Sequence, residues 1–535
     1  MFCALIIVVL WLAACTGQDP NSASGNGLKN VPRNRTLIMD CSESNTCAGQ
    51  IQDYNSFNPF IPGSISRIGY NFLYEPLYFF NAYEDDAELV PWIAESHEFS
   101  PDYTELTVRI RRDVEWSDGH SWTAHDFVFT INMLRSHAPQ LVHSTDMDAW
   151  VKEAVAVDDW TAQIILKAPN PRFLFSYFVH SGDQGVPIIP KHIWEEQDPL
   201  TFSNYDPQKG WPVLTGPYEM ALSEPAQRIW DLREDWWAKK VGFQELPKVK
   251  RLIYLTYMEE TKRVQNLITN TIDTCLELRP ANIVSLLEAN PNITTWTGRE
   301  PPYSYITWWP ISLGFNGTEE PWSDPEMRRA VNFAIDRDQL VEIGWQNSGN
   351  WTHLPLPELP KMKPYFSLAE DLIEKHEVDV FDVERSAAIL RSKGYQRTGE
   401  FWEKDGEPLS LMIDIFSHFQ DFTPVLVAQL KRAGFNASFR MTSDFSTRLR
   451  MGTARSYLFG NFSSVRDPYF VLRQYHQRFV HQTDQPSDMP WRWANDEYSQ
   501  LVDQMGQTPS DAPEMAALYR RAMDIWLEEL PSIPL

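Results

Sequence analysis

The sequence is poor in positive charge, and this shortage excludes two classes of partner. Lysine and arginine together number 47 against 72 acidic residues, which gives a formal net charge of −25. Nucleic-acid phosphates and anionic lipid surfaces both require clustered basic side chains. We therefore expect neither nucleic-acid binding nor electrostatic docking on a membrane, and a soluble, self-repelling surface is enough to explain the charge.

Cysteine is scarce as well, and recognisable catalytic motifs are missing. The five cysteines show no spacing typical of a zinc site. No G-x-S-x-G, H-E-x-x-H or phosphate-binding loop occurs, so we expect no enzyme, with a secreted hydrolase using paired carboxylates as a minor alternative. Cys41 and Cys47 flank a short polar loop and could form a disulfide or stay reduced.

The composition is otherwise that of a globular protein with an excess of tryptophan. Apolar residues make up 43% and charged residues 22% of 535 residues, a length typical of two to four folding units. The 21 tryptophans could fill the core or line a pocket that stacks on flat ligand faces. Composition does not choose between these two uses.

The amino terminus resembles a bacterial lipoprotein signal. Residues 1–14 form an apolar run that ends directly at Cys15, too short for a membrane span but suited to a signal peptide. The residues before Cys15 resemble a lipobox, which implies a lipid on Cys15 as the first mature residue, although no basic residue precedes the run. We expect the polar residues 16–35 to form a flexible tether.

Further along, strands and helices alternate, which predicts an α/β protein with mixed sheets. Thr104–Arg111 alternates as a strand, and Gly69–Phe79 reads as a helix. A second helix is predicted over Phe127–Leu134, with Thr123 as its N-cap.

Five segments resemble, in order, the motifs of one family, the family 5 extracellular solute-binding proteins of ABC importers. That family includes oligopeptide, dipeptide and nickel receptors. The segments are residues 116–127 (WSDGHSWTAHDF), 215–218 (TGPY), 233–237 (REDWW), 272–273 (ID) and 315–337 (FNGTEEPWSDPEMRRAVNFAIDR). Most of these residues read as scaffold, and we expect Arg328 and Asp336 to form a packed ion pair.

The resemblance implies a two-lobed, periplasmic-binding-protein-like fold of type II with an extra subdomain. Lobe I would span residues 36–311, with the subdomain at about 76–185, and lobe II residues 312–535. The family's return to lobe I is not recognisable after the segment 530–535, so it would be truncated. A small polar or peptide-like solute would bind between the lobes, which close on it by a hinge.

The resemblance also implies which loops face the solute. The candidate ligand-binding residues are Tyr54, Phe57, Asn58, Trp308, Trp309, Asn316, Gly460, Asn461, Phe462, Ser463 and Ser464. In peptide-binding members an acid in the last loop anchors the peptide's α-ammonium group. Ser464 stands at that place here, and a neutral serine cannot form such a charge-assisted bond. We therefore expect a peptide held by its free amine to be a poor ligand, unless Asp467 replaces the missing acid.

The resemblance implies ABC permease subunits as partners, no cofactor or metal, a monomer, and a lipid-anchored position on the periplasmic or cell-surface side of the membrane. A sensory or chaperone-like receptor on the same fold would have the same sequence features.

Overall fold

The structure, a computed structural model, describes residues 28–41, 49–51, 53–61, 73–181, 185–276, 278–462 and 464–535. The predicted signal peptide, Cys15, most of the predicted tether, Cys47 and Ser463 lie outside the described residues. Cys41 is part of a disulfide, and the pairing with Cys47 stays a prediction. None of the described helices combines the length and the apolar character that crossing a membrane requires.

Strands and helices alternate along the described chain. The strands are β1 (Thr36–Asp40), β2 (Tyr78–Phe80), β3 (Leu89–Pro91), β4 (Ala94–Phe99), β5 (Glu105–Ile110), β6 (Val151–Asp158), β7 (Thr161–Leu166), β8 (Val179–His180), β9 (Tyr218–Glu224), β10 (Gln227–Leu232), β11 (Arg251–Leu255), β12 (Ile311–Phe315), β13 (Gln396–Thr398), β14 (Phe401–Lys404), β15 (Glu407–Pro408), β16 (Ser410–Ile415), β17 (Asn436–Met441), β18 (Ser456–Gly460) and β19 (Ser532–Pro534).

The helices lie between them and pack on the sheets. They are α1 (Ala124–Ser136), α2 (Ser144–Trp150), α3 (Phe173–Phe178), α4 (Lys191–Trp194), α5 (Trp237–Lys240), α6 (Glu260–Ile268), α7 (Pro280–Ala289), α8 (Pro325–Phe333), α9 (Arg337–Gln339), α10 (Lys363–His376), α11 (Val383–Ser392), α12 (Thr423–Ala433), α13 (Phe445–Met451), α14 (Tyr469–Leu472), α15 (Asp496–Gln507) and α16 (Pro513–Glu529).

The described sheets fall into three regions of the chain. Lobe I contains the sheet β1-β11-β10-β9, in which β1 and β11 are parallel. The subdomain contains the sheets β4-β5-β7-β6 and β3-β2-β8. Lobe II contains the sheet β17-β16-β18-β12-β19, and β19 joins it antiparallel to β12. The mixed sheets agree with the predicted α/β class.

The tryptophans fall into a buried group and an exposed group. Large indoles fill the interior of both lobes and the subdomain, where each is less than 2% exposed: Trp116, Trp122, Trp194, Trp230, Trp237, Trp491 and Trp526. Others stay at the surface, with Trp296 76% and Trp309 37% exposed. An exposed indole contributes little to the core, so the second group is available for contact with a ligand.

Two local predictions are corrected by long-range contacts. The predicted helix over Gly69–Phe79 is wrong at its end, because Tyr78–Phe80 forms β2 and pairs with β3 and β8. The expected ion pair between Arg328 and Asp336 is also wrong. Arg328 donates to the carbonyl oxygens of Leu530 and Glu529 at 2.9 and 2.6 Å.

The amino terminus of α1 carries the predicted cap. The Thr123 hydroxyl accepts a hydrogen bond from the backbone N–H of His125 at 3.3 Å. The Asp126 carboxylate accepts one from the Thr123 N–H at 2.8 Å, which completes a capping box. The cap satisfies helix donors that would otherwise have no partner.

Replacing the capping hydroxyl tests this local account. We expect Thr123→Ala to lower the free energy of unfolding by about 1 kcal/mol, because a helix N–H loses its acceptor. Urea titration followed by circular dichroism measures the change. Thr123→Ser, which keeps the hydroxyl, should lose much less, and equal losses in the two variants would contradict a capping role.

Candidate ligand-binding site

The candidate site in lobe II lies at one edge of its sheet. Strands β16 and β18 are parallel, so their carboxyl ends meet at the same edge. Strand β12 runs antiparallel to β18, which brings the amino-terminal end of β12 to that edge as well. In open α/β sheets ligands bind outside the carboxyl ends of the strands, and the topology therefore marks this edge as the place for a site.

Aromatic side chains collect at this edge and form what we call the lobe II aromatic cluster, Trp308, Trp309, Phe459 and Phe462. The ring centroid of Trp309 lies 5.5 Å from that of Phe462 and 6.3 Å from that of Phe459. Trp308 and Trp309 are 6.1 Å apart. Trp309 is 37% exposed, so the cluster leaves part of an indole in contact with solvent.

Gly460 and Asn461 hold this cluster in place. A Cβ on Gly460 would lie 3.1 Å from the indole of Trp309, so the glycine lets the ring approach the strand closely. Asn461 is fully buried, and its amide nitrogen donates to the hydroxyl of Ser312 at 2.9 Å. Its side-chain oxygen accepts a hydrogen bond from Tyr475 at 2.6 Å. Both residues therefore position the loop and offer no free polar group to a solute.

The lobe I candidates also include both partly exposed and buried side chains. Tyr54 is partly exposed and packs against the buried pair Cys41 and Ile51, which Tyr254 and Tyr257 also contact, near the carboxyl ends of β1 and β11. Phe57 is completely buried, with its ring 6.2 Å from that of Trp230. The buried amide of Asn58 donates to the carbonyl oxygens of Pro199 and Phe202. Of the three, only Tyr54 lies at the edge where a ligand is expected.

Asn316 is not brought to the other candidates. It follows the carboxyl end of β12, whereas Trp309 precedes its amino end, and a five-residue strand separates them by about 17 Å. The buried amide of Asn316 donates to the carbonyl oxygen of Gly452 at 2.9 Å, and its oxygen accepts from the Thr318 hydroxyl. The side chain closes a loop at the opposite edge of the sheet.

Ser464, expected at the place of the amine-binding acid, has its hydroxyl engaged within its own loop and with α14. The Ser464 hydroxyl is fully buried, accepts a hydrogen bond from the Val471 N–H at 2.8 Å and donates to the carbonyl oxygen of Asp467. Asp467 does not replace the acid. Its Oδ2 lies 2.6 Å from Nε of Arg172, and both side chains are nearly completely buried.

Arg172 is a residue that sequence reasoning missed. It precedes α3 in the subdomain, yet it also donates to the lobe II carbonyl oxygens of Met505 and Thr508 at 2.7 and 2.8 Å. Its guanidinium lies 4.7 Å from the ring centre of Tyr469. These contacts form an interlobe ion pair with Asp467, and nothing in the local sequence pattern around Arg172 signals a partner 295 residues away.

A second group of exposed rings was also missed. Trp296, Tyr305 and Tyr83 are 76%, 42% and 49% exposed, and the ring of Tyr305 lies 5.3 Å from Trp296 and 5.5 Å from Tyr83. The Tyr83 hydroxyl donates to the carbonyl oxygen of Ile306. Aromatic residues in the otherwise polar stretch before β12 were the available sequence signal.

Two α/β lobes, a subdomain that contacts lobe II, and a ring-lined strand edge define a receptor of the two-lobed binding-protein class. Residues 88–479 match the bacterial extracellular solute-binding proteins, family 5, in its middle region, and the chain belongs to this family.

The chain is similar over most of its length to solved structures of this class. A periplasmic oligopeptide-binding protein of an ABC transporter from Thermotoga maritima superposes with a TM-score of 0.80 at 22% identity, covering 94% of this chain and 91% of that one. Its mannohexaose-bound structure gives 0.74 at 23% identity, covering 95% and 91%. The predicted two-lobed type II fold is confirmed.

Among sequence relatives, the chain resembles glutathione-binding proteins. The glutathione-binding protein GsiB of Pectobacterium atrosepticum is 23% identical over 64% of this chain, a match that spans 60% of the relative's own length. GsiB of Escherichia coli strain K12 is 22% identical over 83% of this chain and 79% of its own. The predicted class, a solute-binding component of an ABC importer, is confirmed.

Proposed function

We propose that the protein captures a neutral solute with flat faces, an oligosaccharide by chemical class, on the lobe II aromatic cluster and delivers it to the permease subunits of an importer. The observation that carries the proposal is the exposed ring of Trp309, backed by Phe462 at 5.5 Å. The apolar faces of sugar rings stack on such platforms, as the faces of other planar groups do.

The two residues considered as anchors for a peptide amine, Ser464 and Asp467, are both engaged within the protein, which supports a neutral solute. The Ser464 hydroxyl accepts a hydrogen bond from an N–H of α14, and the Asp467 carboxylate is paired with Arg172. A peptide amine would therefore lose its hydration without gaining an ionic partner at this loop, which is costly. The mannohexaose bound by the Thermotoga relative supports a sugar-type ligand in this fold.

The proposed setting is the outer side of a bacterial membrane. A lipid on Cys15, with residues 16–27 as the tether, would keep the receptor near its permease. The rest of the expected tether, residues 28–35, packs on lobe I instead, where Arg33 lies 2.8 Å from Asp273. Such an anchor raises the local concentration of the receptor without adding any contact.

Calorimetry with purified protein tests the ligand class. We expect micromolar binding of a hexose oligomer such as mannohexaose, and no binding of tri- to pentapeptides that depends on a free amino terminus. Peptides with free and acetylated amino termini form the matched comparison. Tight binding of the free-amine peptides alone would overturn the proposed ligand class.

Removing the exposed indole tests the proposed platform. We expect Trp309→Ala to weaken oligosaccharide binding by about tenfold or more, because a stacked ring contributes about 0.5–1.5 kcal/mol beyond the area it buries. Phe381→Ala removes another half-exposed lobe II ring and should leave the affinity unchanged. Equal affinities of wild type and Trp309→Ala would place the ligand elsewhere.

A further inference from the structure

Two histidines and one carboxylate meet at a surface that the proposed function does not use. Asp118, His120 and His192 each contribute one ligand atom, and these atoms lie within 4.8 Å of one another. Oδ2 of Asp118 lies 2.7 Å from Nε2 of His192, and Oδ1 lies 3.2 Å from Nδ1 of His120. All three residues belong to lobe I and its subdomain, whereas the aromatic cluster belongs to lobe II.

A tight turn places two of these residues side by side. Gly119 has a φ of +88°, a backbone conformation that glycine adopts without strain, and it turns His120 back over Asp118. The turn is anchored because the Ser117 N–H donates to the carbonyl oxygen of Leu214 at 2.7 Å. The Trp116 N–H closes it by donating to the carbonyl oxygen of His120.

The third residue comes from a separate segment that is anchored independently. His192 lies in α4, whose first N–H, that of Lys191, donates to Oδ1 of Asp126 at 2.8 Å. At the other end of α4, Trp194 is 1% exposed and fixes the helix in the core. Two supported segments thus hold the three ligand groups together, and such support is what a preorganised site needs.

The two imidazole rings are stacked, with centroids 4.0 Å apart and an angle of 20° between their planes. In this arrangement a nitrogen of each ring faces the same carboxylate. Two neutral imidazoles and a carboxylate are the usual protein ligands of zinc and other late first-row ions. A soft thiolate site or an all-oxygen magnesium site would need other residue types.

We propose that Asp118, His120 and His192 form a surface site for a divalent transition-metal ion, zinc by preference. Tetrahedral zinc with bonds of about 2.0–2.1 Å holds its ligand atoms about 3.3 Å apart. The Asp118–His192 pair at 2.7 Å would therefore open slightly, and any wider separation within the 4.8 Å bound would close. His120, 62% exposed at its side chain, is free to make this adjustment. Water would complete the coordination.

Metal at this position would join the turn at residues 117–120 to α4, two segments more than 70 residues apart. Binding to the folded state alone would stabilise lobe I and its subdomain by mass action. The site lies outside the ligand-binding edge, so its occupancy should leave solute affinity unchanged.

Zinc titration of the full chain by calorimetry tests the proposal, with His120→Ala and His192→Ala as the site variants. We expect each to weaken zinc binding by about tenfold or more, because a three-ligand site becomes a two-ligand site. His125→Ala is the matched control. His125 is exposed and contacts Asp159 at 3.2 Å, outside the cluster, so its loss should not matter.

A second measurement identifies the ligands directly. The electron paramagnetic resonance spectrum of the Cu²⁺-loaded protein should show two coupled imidazole nitrogens in the wild type and one in His120→Ala. This readout does not depend on stability, so a folding defect in His192→Ala would not confound it. Unchanged binding in both site variants, or an equal loss in His125→Ala, would overturn the site.

Discussion

Asp467→Ala is expected to separate the subdomain from lobe II. The substitution leaves the Arg172 guanidinium buried at 5% exposure without its ionic partner. Removing one member of a buried ion pair costs about 3–5 kcal/mol. Here the cost can be relieved without unfolding, because moving the two regions apart returns Arg172 to water. We therefore expect the closed form to lose about a hundredfold or more in population relative to open forms.

Small-angle X-ray scattering of ligand-free protein measures this opening as an increase in the radius of gyration. Because closure would be needed for tight capture, solute affinity should fall along with it. The urea midpoint of unfolding should change much less, since most of lobe II's core does not depend on Asp467. A wild-type scattering curve together with wild-type affinity would contradict the role of the pair.

An exposed interlobe pair provides the control. Arg279 lies 3.8 Å from Asp421 between lobe I and lobe II, and both side chains are about half exposed. Surface pairs of this kind contribute about 0–1 kcal/mol. Arg279→Ala should therefore leave both the scattering curve and the affinity near wild type, although it also removes an interlobe charge pair.

Local motifs were predictable because their causes lie within a few residues. Thr123 caps its helix as the sequence indicates, since a capping side chain acts two or three positions away. The position of Trp308 and Trp309 just before β12 could also be predicted, because the family's order of motifs places β12 after the lobe I segments.

Residues whose roles depend on distant partners were beyond such reasoning. Asn316 and Phe462 each follow the carboxyl end of a strand, β12 and β18, and both were expected to face the solute. Because β12 and β18 are antiparallel, the two residues lie at opposite edges of the sheet. Arg172 bonds to carbonyl and carboxylate oxygens of lobe II. His192 contacts Asp118, which lies 74 positions earlier in the chain. Such pairings follow from the packing of whole elements, which a pattern along one chain does not encode.

Glu75 is expected to give lobe I an unusual pH dependence. Its carboxylate is 5% exposed and accepts hydrogen bonds from the indoles of Trp92 at 3.0 Å and Trp237 at 2.6 Å. Its backbone N–H donates to the Thr215 hydroxyl at 2.9 Å, so the group joins several segments of the core. Burial raises the pKa of Glu75 from 4.5 to about 7, although the indole donors and Arg233 act in the opposite direction.

The raised pKa determines the sign of the effect. Between pH 4.5 and about 7 the folded protein holds a proton on Glu75 that the unfolded chain has released, so stability falls as pH rises through this window. Between pH 5 and pH 8 this group alone should lower the free energy of unfolding by about 2–3 kcal/mol. Glu75→Gln cannot titrate and should lack this component, while losing some stability at pH 5 because the amide nitrogen cannot accept an indole hydrogen bond.

Urea unfolding of wild type and Glu75→Gln at pH 5 and pH 8 isolates the contribution as a difference of differences. Other titrating groups cancel, because both proteins contain them. Glu95→Gln, at an exposed position of β4, should keep the wild-type pH dependence. If Glu75→Gln instead retains the full decrease between pH 5 and pH 8, the proton is held by another group and the buried carboxyl of Glu75 is ionised throughout this range.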